Sequence, residues 1–77
     1  MENFEEIQEH AIELVSSIRG RYIMAKALYL AHQLLDSEID DRKRQPSDMH
    51  DMITILSMAY PNFYNTFKEC EKRGIQV

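Results

Sequence analysis

Residues that break regular secondary structure are scarce in this chain, and their positions constrain the fold more than any other feature. Two glycines and two prolines occur in 77 residues, at Gly20, Pro46, Pro61 and Gly74. Between them, apolar residues recur every three or four positions, which is the period of an α-helix, and no stretch alternates as a β-strand does. The sequence therefore predicts an all-α protein, a small bundle of three to four helices.

The predicted helices belong to one domain, 1–77, and span residues 4–17, 18–36, 48–60 and 62–73, with a polar loop at 37–47. Asn3 is a suitable N-cap for the first helix. Ser16 and Ser17, followed by Gly20, favour a break or sharp bend between the first and second helices. The first helix carries an apolar stripe of Phe4, Ile7, Ala11, Leu14, Val15 and Ile18.

The second half of the chain carries clear helix start and stop signals. Pro46 and Ser47 predict the start of the third helix, with Ser47 as its cap. Gly74 is expected to end the fourth helix in the left-handed conformation, which places Ile75 against Cys70 as in a Schellman motif. Cys70 is therefore interpreted as a structural thiol.

The size of the chain limits the core that it can build. A domain of 77 residues is near the lower limit for folding alone, and its single cysteine cannot form an internal disulfide. Aromatic and methionine side chains crowd residues 49–67, and three or four short helices cannot bury them all. We therefore expect homo-oligomerisation, with a dimer favoured, to complete the bundle.

The apolar surplus predicts a surface for a protein partner, whose identity the sequence leaves open. The expected apolar anchors are Tyr22, Tyr29, Tyr60, Phe63, Tyr64 and Phe67. Basic side chains are expected to steer and orient the partner, namely Arg19, Arg21, Arg42, Lys43 and Arg44.

The charge pattern argues against nucleic acid as the partner. The net charge is −4, and Asp40 and Asp41 adjoin the basic cluster at 42–44. Proteins that bind nucleic acids usually have a basic balance or a basic stripe. Binding of a nucleic acid or of a small anionic ligand through the arginines is therefore only an alternative hypothesis.

The N-terminus and the hydropathy predict a cytoplasmic protein that binds no membrane. The first residues are acidic, whereas a secretory signal begins with basic residues and continues with apolar ones. No segment approaches the roughly 18–20 apolar residues of a membrane span. A lone cysteine agrees with a reducing compartment.

One acidic pattern suggests an enzyme as a further alternative. Glu5, Glu6 and Glu9 form an EExxE string, and Glu38 and Asp41 form an ExxD string. Together they resemble the magnesium-binding carboxylates of the all-α nucleoside triphosphate pyrophosphohydrolases, which implies Mg²⁺ held against a triphosphate. The second string falls in the polar loop, and nothing else matches. We therefore assign no catalytic residue, metal ligand or cofactor and expect a non-enzyme.

A second resemblance concerns the middle of the chain. Residues 18–29 carry the pattern R-G-R-Y-I…A-L-Y, and residues 47–52 form a Ser-capped helix start containing Asp-Met. Over about residues 15–64 the chain resembles small accessory proteins of tailed bacteriophages. The resemblance implies a protein that binds and modulates a host or viral protein, in host takeover or anti-defence. The leading hypothesis is accordingly a small non-enzymatic protein-interaction module.

Overall fold

The computed structural model describes residues 3–77, which form four α-helices and one short 3-10 turn. The helices are α1 (Phe4–Ser16), α2 (Ile18–Asp36), α3 (Pro46–Ala59) and α4 (Pro61–Lys72), and the turn is Asp41–Lys43. No β-strand occurs within these residues, which confirms the all-α prediction. The observed helix bounds lie within two residues of the predicted ones.

Ser17 forms the corner between α1 and α2. Its Oγ accepts a hydrogen bond from the Gly20 backbone N–H at 3.0 Å and donates to the Leu14 carbonyl oxygen at 2.6 Å. One side chain therefore caps the start of α2 and closes the end of α1. Gly20 is buried at this corner, where a Cβ atom would overlap the Leu14 carbonyl oxygen. The break that the sequence predicts is present, and the close approach of two backbone segments explains the glycine.

The third helix begins two residues earlier than expected. Pro46 occupies the first position of α3, and Gln45 before it is left-handed, with φ 51° and ψ 64°. No side chain caps this helix. The prediction that Ser47 is the cap is wrong, because the fixed φ of proline suits the first helical position and a residue before proline avoids the right-handed helical region.

The end of α4 has the predicted Schellman geometry. Gly74 has φ 71°. The Ile75 N–H donates to the Cys70 carbonyl oxygen at 2.8 Å, and the Gly74 N–H donates to that of Glu71 at 3.0 Å. These bonds satisfy two carbonyl groups that a helix end leaves free.

The core is small and lies among α2, α3 and α4. Its buried side chains are Ala25, Tyr29, Leu56 and Phe67. A ring of partly buried side chains packs against them, formed by Tyr22, Leu28, Ile53, Tyr60, Phe63, Tyr64 and Val77. The helix α2 packs against each of the others, and α3 packs against α4. Since α1 contributes no buried residue, the other three helices hold the core.

The described chain is more extended than its length requires. Its radius of gyration is 15.2 Å, and its principal extents are 46, 30 and 22 Å. A compact domain of 77 residues has a radius of gyration of about 11.5 Å. The difference follows from α1, which is joined to the bundle at the Ser17 corner without entering its core.

Candidate interaction surface

The six aromatic residues expected to anchor a partner pack within the chain itself. Tyr29 and Phe67 are only 5% and 3% exposed. The Phe67 ring centroid lies 5.3 Å from that of Tyr29 and 6.0 Å from that of Tyr22, in tilted and edge-to-face contacts that stabilise a core. The remaining rings are partly buried against the same core, and they are Tyr60, Phe63 and Tyr64. Little of this aromatic surface is left for another molecule.

The basic residues expected to orient a partner form two separate groups. Arg19 and Arg21 lie in the first turn of α2, and residues 42–44 follow its other end. The 19 residues of α2 span about 28 Å, so the two groups do not form one patch. Arg44 is engaged locally in an ion pair with Asp41 at 3.4 Å. The pattern gives no continuous basic stripe of the kind that nucleic acids need.

The carboxylates of the pyrophosphohydrolase resemblance are not assembled into a site. Glu5, Glu6 and Glu9 are exposed on α1, whereas Glu38 and Asp41 follow the far end of α2. Within residues 3–77, no group of three or more histidine, cysteine or acidic side chains is arranged to hold a metal ion. The geometry of the described chain therefore lends no support to the magnesium hypothesis.

A small polar cleft of about 200 Å³ lies between α2 and α4. Burial raises the pKa of the Tyr29 hydroxyl. The Glu71 carboxylate raises this pKa further, because it accepts a hydrogen bond from the hydroxyl and carries a negative charge. Glu71 also accepts a hydrogen bond from the Gln33 side-chain amide. On the same helix, the Lys68 ammonium lies 4.3 Å from the centre of the Tyr64 ring. The Glu71 carboxylate is thus engaged by Tyr29 and Gln33, and the Lys68 ammonium by the Tyr64 ring. These contacts hold α2 and α4 together and leave neither Glu71 nor Lys68 free to act as an acid or a base.

Ten of the 14 exposed large hydrophobic side chains of the described chain lie on α1 and α2, and six of them form one stripe on α1 and one on the side of α2 opposite the core. We call this set the outer surface, and it consists of Phe4, Ile7, Leu14, Ile23, Leu30 and Leu34. Phe4 is 78% exposed and Leu34 is 73% exposed. The helix α2 is thus apolar on two sides, one facing the other helices and one facing outward. Helices that are apolar on both sides are typically buried on both.

The part of the outer surface that lies on α2 was not predicted from the sequence. The apolar residues of α2 were interpreted as one core-facing stripe, and those on its opposite side were not recognised as a second stripe. The available signal was the 4-3-4 spacing of Ile23, Ala27, Leu30 and Leu34, which places four apolar residues on one helix face. The stripe on α1 was recognised, but the structure leaves it exposed.

Comparison with protein-family models, curated proteins and solved structures gives no match to this chain. Among residues 3–77, no helix combines the length and the hydropathy needed to cross a membrane. The resemblance to phage accessory proteins stays a prediction, and the outer surface is the feature from which a function is inferred.

Proposed function

We propose that this protein is a non-enzymatic protein-interaction module that acts by burying its outer surface against another protein chain. The observation that carries the proposal is the amount of exposed surface. The accessible area is 6341 Å², whereas a compact monomer of this length exposes about 4,900 Å². The excess of about 1,400 Å² is larger than the roughly 800 Å² that each partner buries in a standard interface.

The composition of the outer surface suits protein more than any other ligand. It is formed by large aliphatic and aromatic side chains, and polar groups flank it on α1. Large exposed apolar surfaces are rare on monomers unless they contact another chain or a membrane. The cleft between α2 and α4 has a volume of about 200 Å³, which is below the roughly 300–1,000 Å³ of typical small-molecule pockets.

The wider setting of the proposal rests on the sequence. The resemblance over residues 15–64 supports a phage accessory protein that redirects a host or viral protein in the bacterial cytoplasm. Completion of the bundle by another copy would be part of the same behaviour, since the core of the described chain contains four buried hydrophobic side chains. We assign no catalytic residue, because no observation on the described residues favours the enzyme or the nucleic-acid alternative.

The proposal is tested by photo-crosslinking in the cells that naturally express the protein. A benzophenone amino acid is placed at Leu34 on the outer surface and, as a control, at Met58 on α3, which is 81% exposed. We expect Leu34 to give a covalent adduct to a protein chain that Met58 does not give. A Leu30→Glu substitution in the same chain should abolish that adduct.

The identity of the adduct carries further information. An adduct that maps to this chain or to a different protein supports an interaction module, provided that it depends on Leu30. Absence of any Leu34-specific adduct contradicts the proposal, because a surface that acts by burial has to be covered in the cell.

A further inference from the structure

Two apolar seams of nearly equal length lie on the outer surface. The first seam is on α1 and consists of Phe4, Ile7, Ala11 and Leu14, and the second is on α2 and consists of Ile23, Ala27, Leu30 and Leu34. Both alternate spacings of three and four residues, which is the repeat of helices that pack as coiled coils. Each spans about 15–17 Å. Each also has an alanine near its middle, where two helices can approach closely.

Neither seam is covered by the chain that carries it. No residue of α1 is buried, and Ile23, Ala27, Leu30 and Leu34 are all exposed. The helix α1 follows the Ser17 corner and buries no residue, so the first seam does not close onto the second within the described molecule. Covering both seams needs a second chain.

The net charges of the two helices favour one pairing of the seams over the other. The helix α1 carries four glutamates and no lysine or arginine, whereas the first half of α2 carries Arg19, Arg21 and Lys26. The glutamates lie on the side of α1 away from its seam and stay in solvent, but packing α1 against α1 of a second copy still places two helices with four carboxylates each side by side. Packing α1 against α2 of a second copy brings opposite charges together, which favours association.

We propose that the partner of the outer surface is a second copy of this chain, in a reciprocal dimer where α1 of each copy lies along the second seam of the other. The arrangement is a two-fold interface in which each contact occurs twice. It buries both seams of both copies and uses the excess accessible area of each. The inference rests on the proposed function, since it names the chain that the outer surface binds.

The first test is the mass of the purified full chain, measured by light scattering at micromolar concentrations. We expect wild type to have twice the mass of one chain and Leu34→Glu to have the mass of one chain. Leu34 is 73% exposed, so its replacement leaves the fold of each copy intact. Met58→Glu is the matched control, because Met58 is 81% exposed but lies outside both seams; it should keep the double mass.

The second test locates α1 relative to the partner. In a Cys70→Ser background, Ala11→Cys and Ala27→Cys chains are mixed and treated with a short thiol-to-thiol cross-linker. We expect dimers that join position 11 of one chain to position 27 of the other. Glu9→Cys lies on the opposite side of α1 and, mixed with Ala27→Cys, should give no such product.

The outcomes separate this inference from the proposed function. A single-chain mass for wild type overturns the reciprocal dimer, as does a dimer that persists in Leu34→Glu or that cross-links position 11 to position 11. If the Leu34 adduct in cells then contains a different protein, the interaction module stands and only the choice of partner fails. If no adduct forms either, both fail.

Discussion

Replacement of Gly20 by alanine is expected to detach α1 from the corner while the core of α2, α3 and α4 stays folded. A Cβ atom at position 20 would overlap the Leu14 carbonyl oxygen and lie 3.1 Å from the Val15 Cα atom. Both neighbours are backbone atoms, so no side-chain rotation can relieve the overlap. The backbone at the corner has to move, which breaks the two hydrogen bonds of Ser17.

Opposing free energies set the size of the effect. Alanine is favoured over glycine by at most about 1 kcal/mol here, because Gly20 lies in the first turn of α2 and that value applies to helix interiors. Loss of the Ser17 cap costs about 1 kcal/mol, and a detached 13-residue helix is only marginally stable in water. Because α1 contributes no buried side chain, we expect the global free energy of unfolding to change by less than about 1 kcal/mol. The amides of α1, by contrast, should lose about tenfold or more of their protection from exchange.

The assay is amide hydrogen exchange followed residue by residue, in a Leu34→Glu background so that another copy does not protect α1. Gly74→Ala is the control, because Gly74 has φ 71° with open space around it. That substitution strains only the end of α4, at about 1–2 kcal/mol. If the α1 amides of Gly20→Ala exchange as slowly as those of the parent, close backbone approach is not the reason for the glycine, and the reasoning is refuted.

Three further predictions concern the core, a strained turn and pH. Leu56→Ala should lower the free energy of unfolding by about 2–5 kcal/mol, because Leu56 is fully buried. Denaturant titration measures this loss, with Ile55→Ala as the control at an exposed position, and equal losses in the two variants would contradict the prediction. Gln45→Gly should raise stability by about 1 kcal/mol, because Gln45 has φ 51°; an unchanged or lower Tm would count against it. Burial raises the pKa of Tyr29 in the folded chain, so the unfolded chain releases this proton at lower pH than the folded chain does. The contribution of Tyr29 to the free energy of unfolding is therefore complete below about pH 10 and is lost at higher pH. Urea titrations at rising pH should show that the free energy of unfolding falls more steeply with pH for wild type than for Tyr29→Phe. An equal pH dependence in the two chains would disprove this.

The helices and most of their ends follow from local signals. Asn3 accepts a hydrogen bond from the Glu6 N–H at 2.9 Å, as its position before an acidic turn predicts. Gly74 ends α4 because a residue there needs a positive φ. The start of α3 was predicted less well, because Pro46 and Ser47 both fit a helix start and the left-handed Gln45 leaves no sign in the sequence.

The sequence predicted an excess of apolar side chains but placed it on residues other than those of the outer surface. A surplus of apolar side chains over core capacity was correctly expected, and 14 large hydrophobic residues are exposed in the described chain. That surplus was expected on aromatic residues such as Tyr29 and Phe67, which the structure buries. Aromatic side chains are the largest, so their burial contributes the most free energy and they form the core.

The sequence by itself determined that this protein is helical, where its helices break, and that one chain has more apolar side chains than it can bury. These properties depend on neighbours a few residues apart, which the sequence shows directly. Only the tertiary structure decided which faces are covered. The helix α2 is apolar on two sides, and periodicity alone does not distinguish them. Packing of α3 and α4 against Ala25 and Tyr29 makes one side the core and leaves Leu30 and Leu34 on the exposed side.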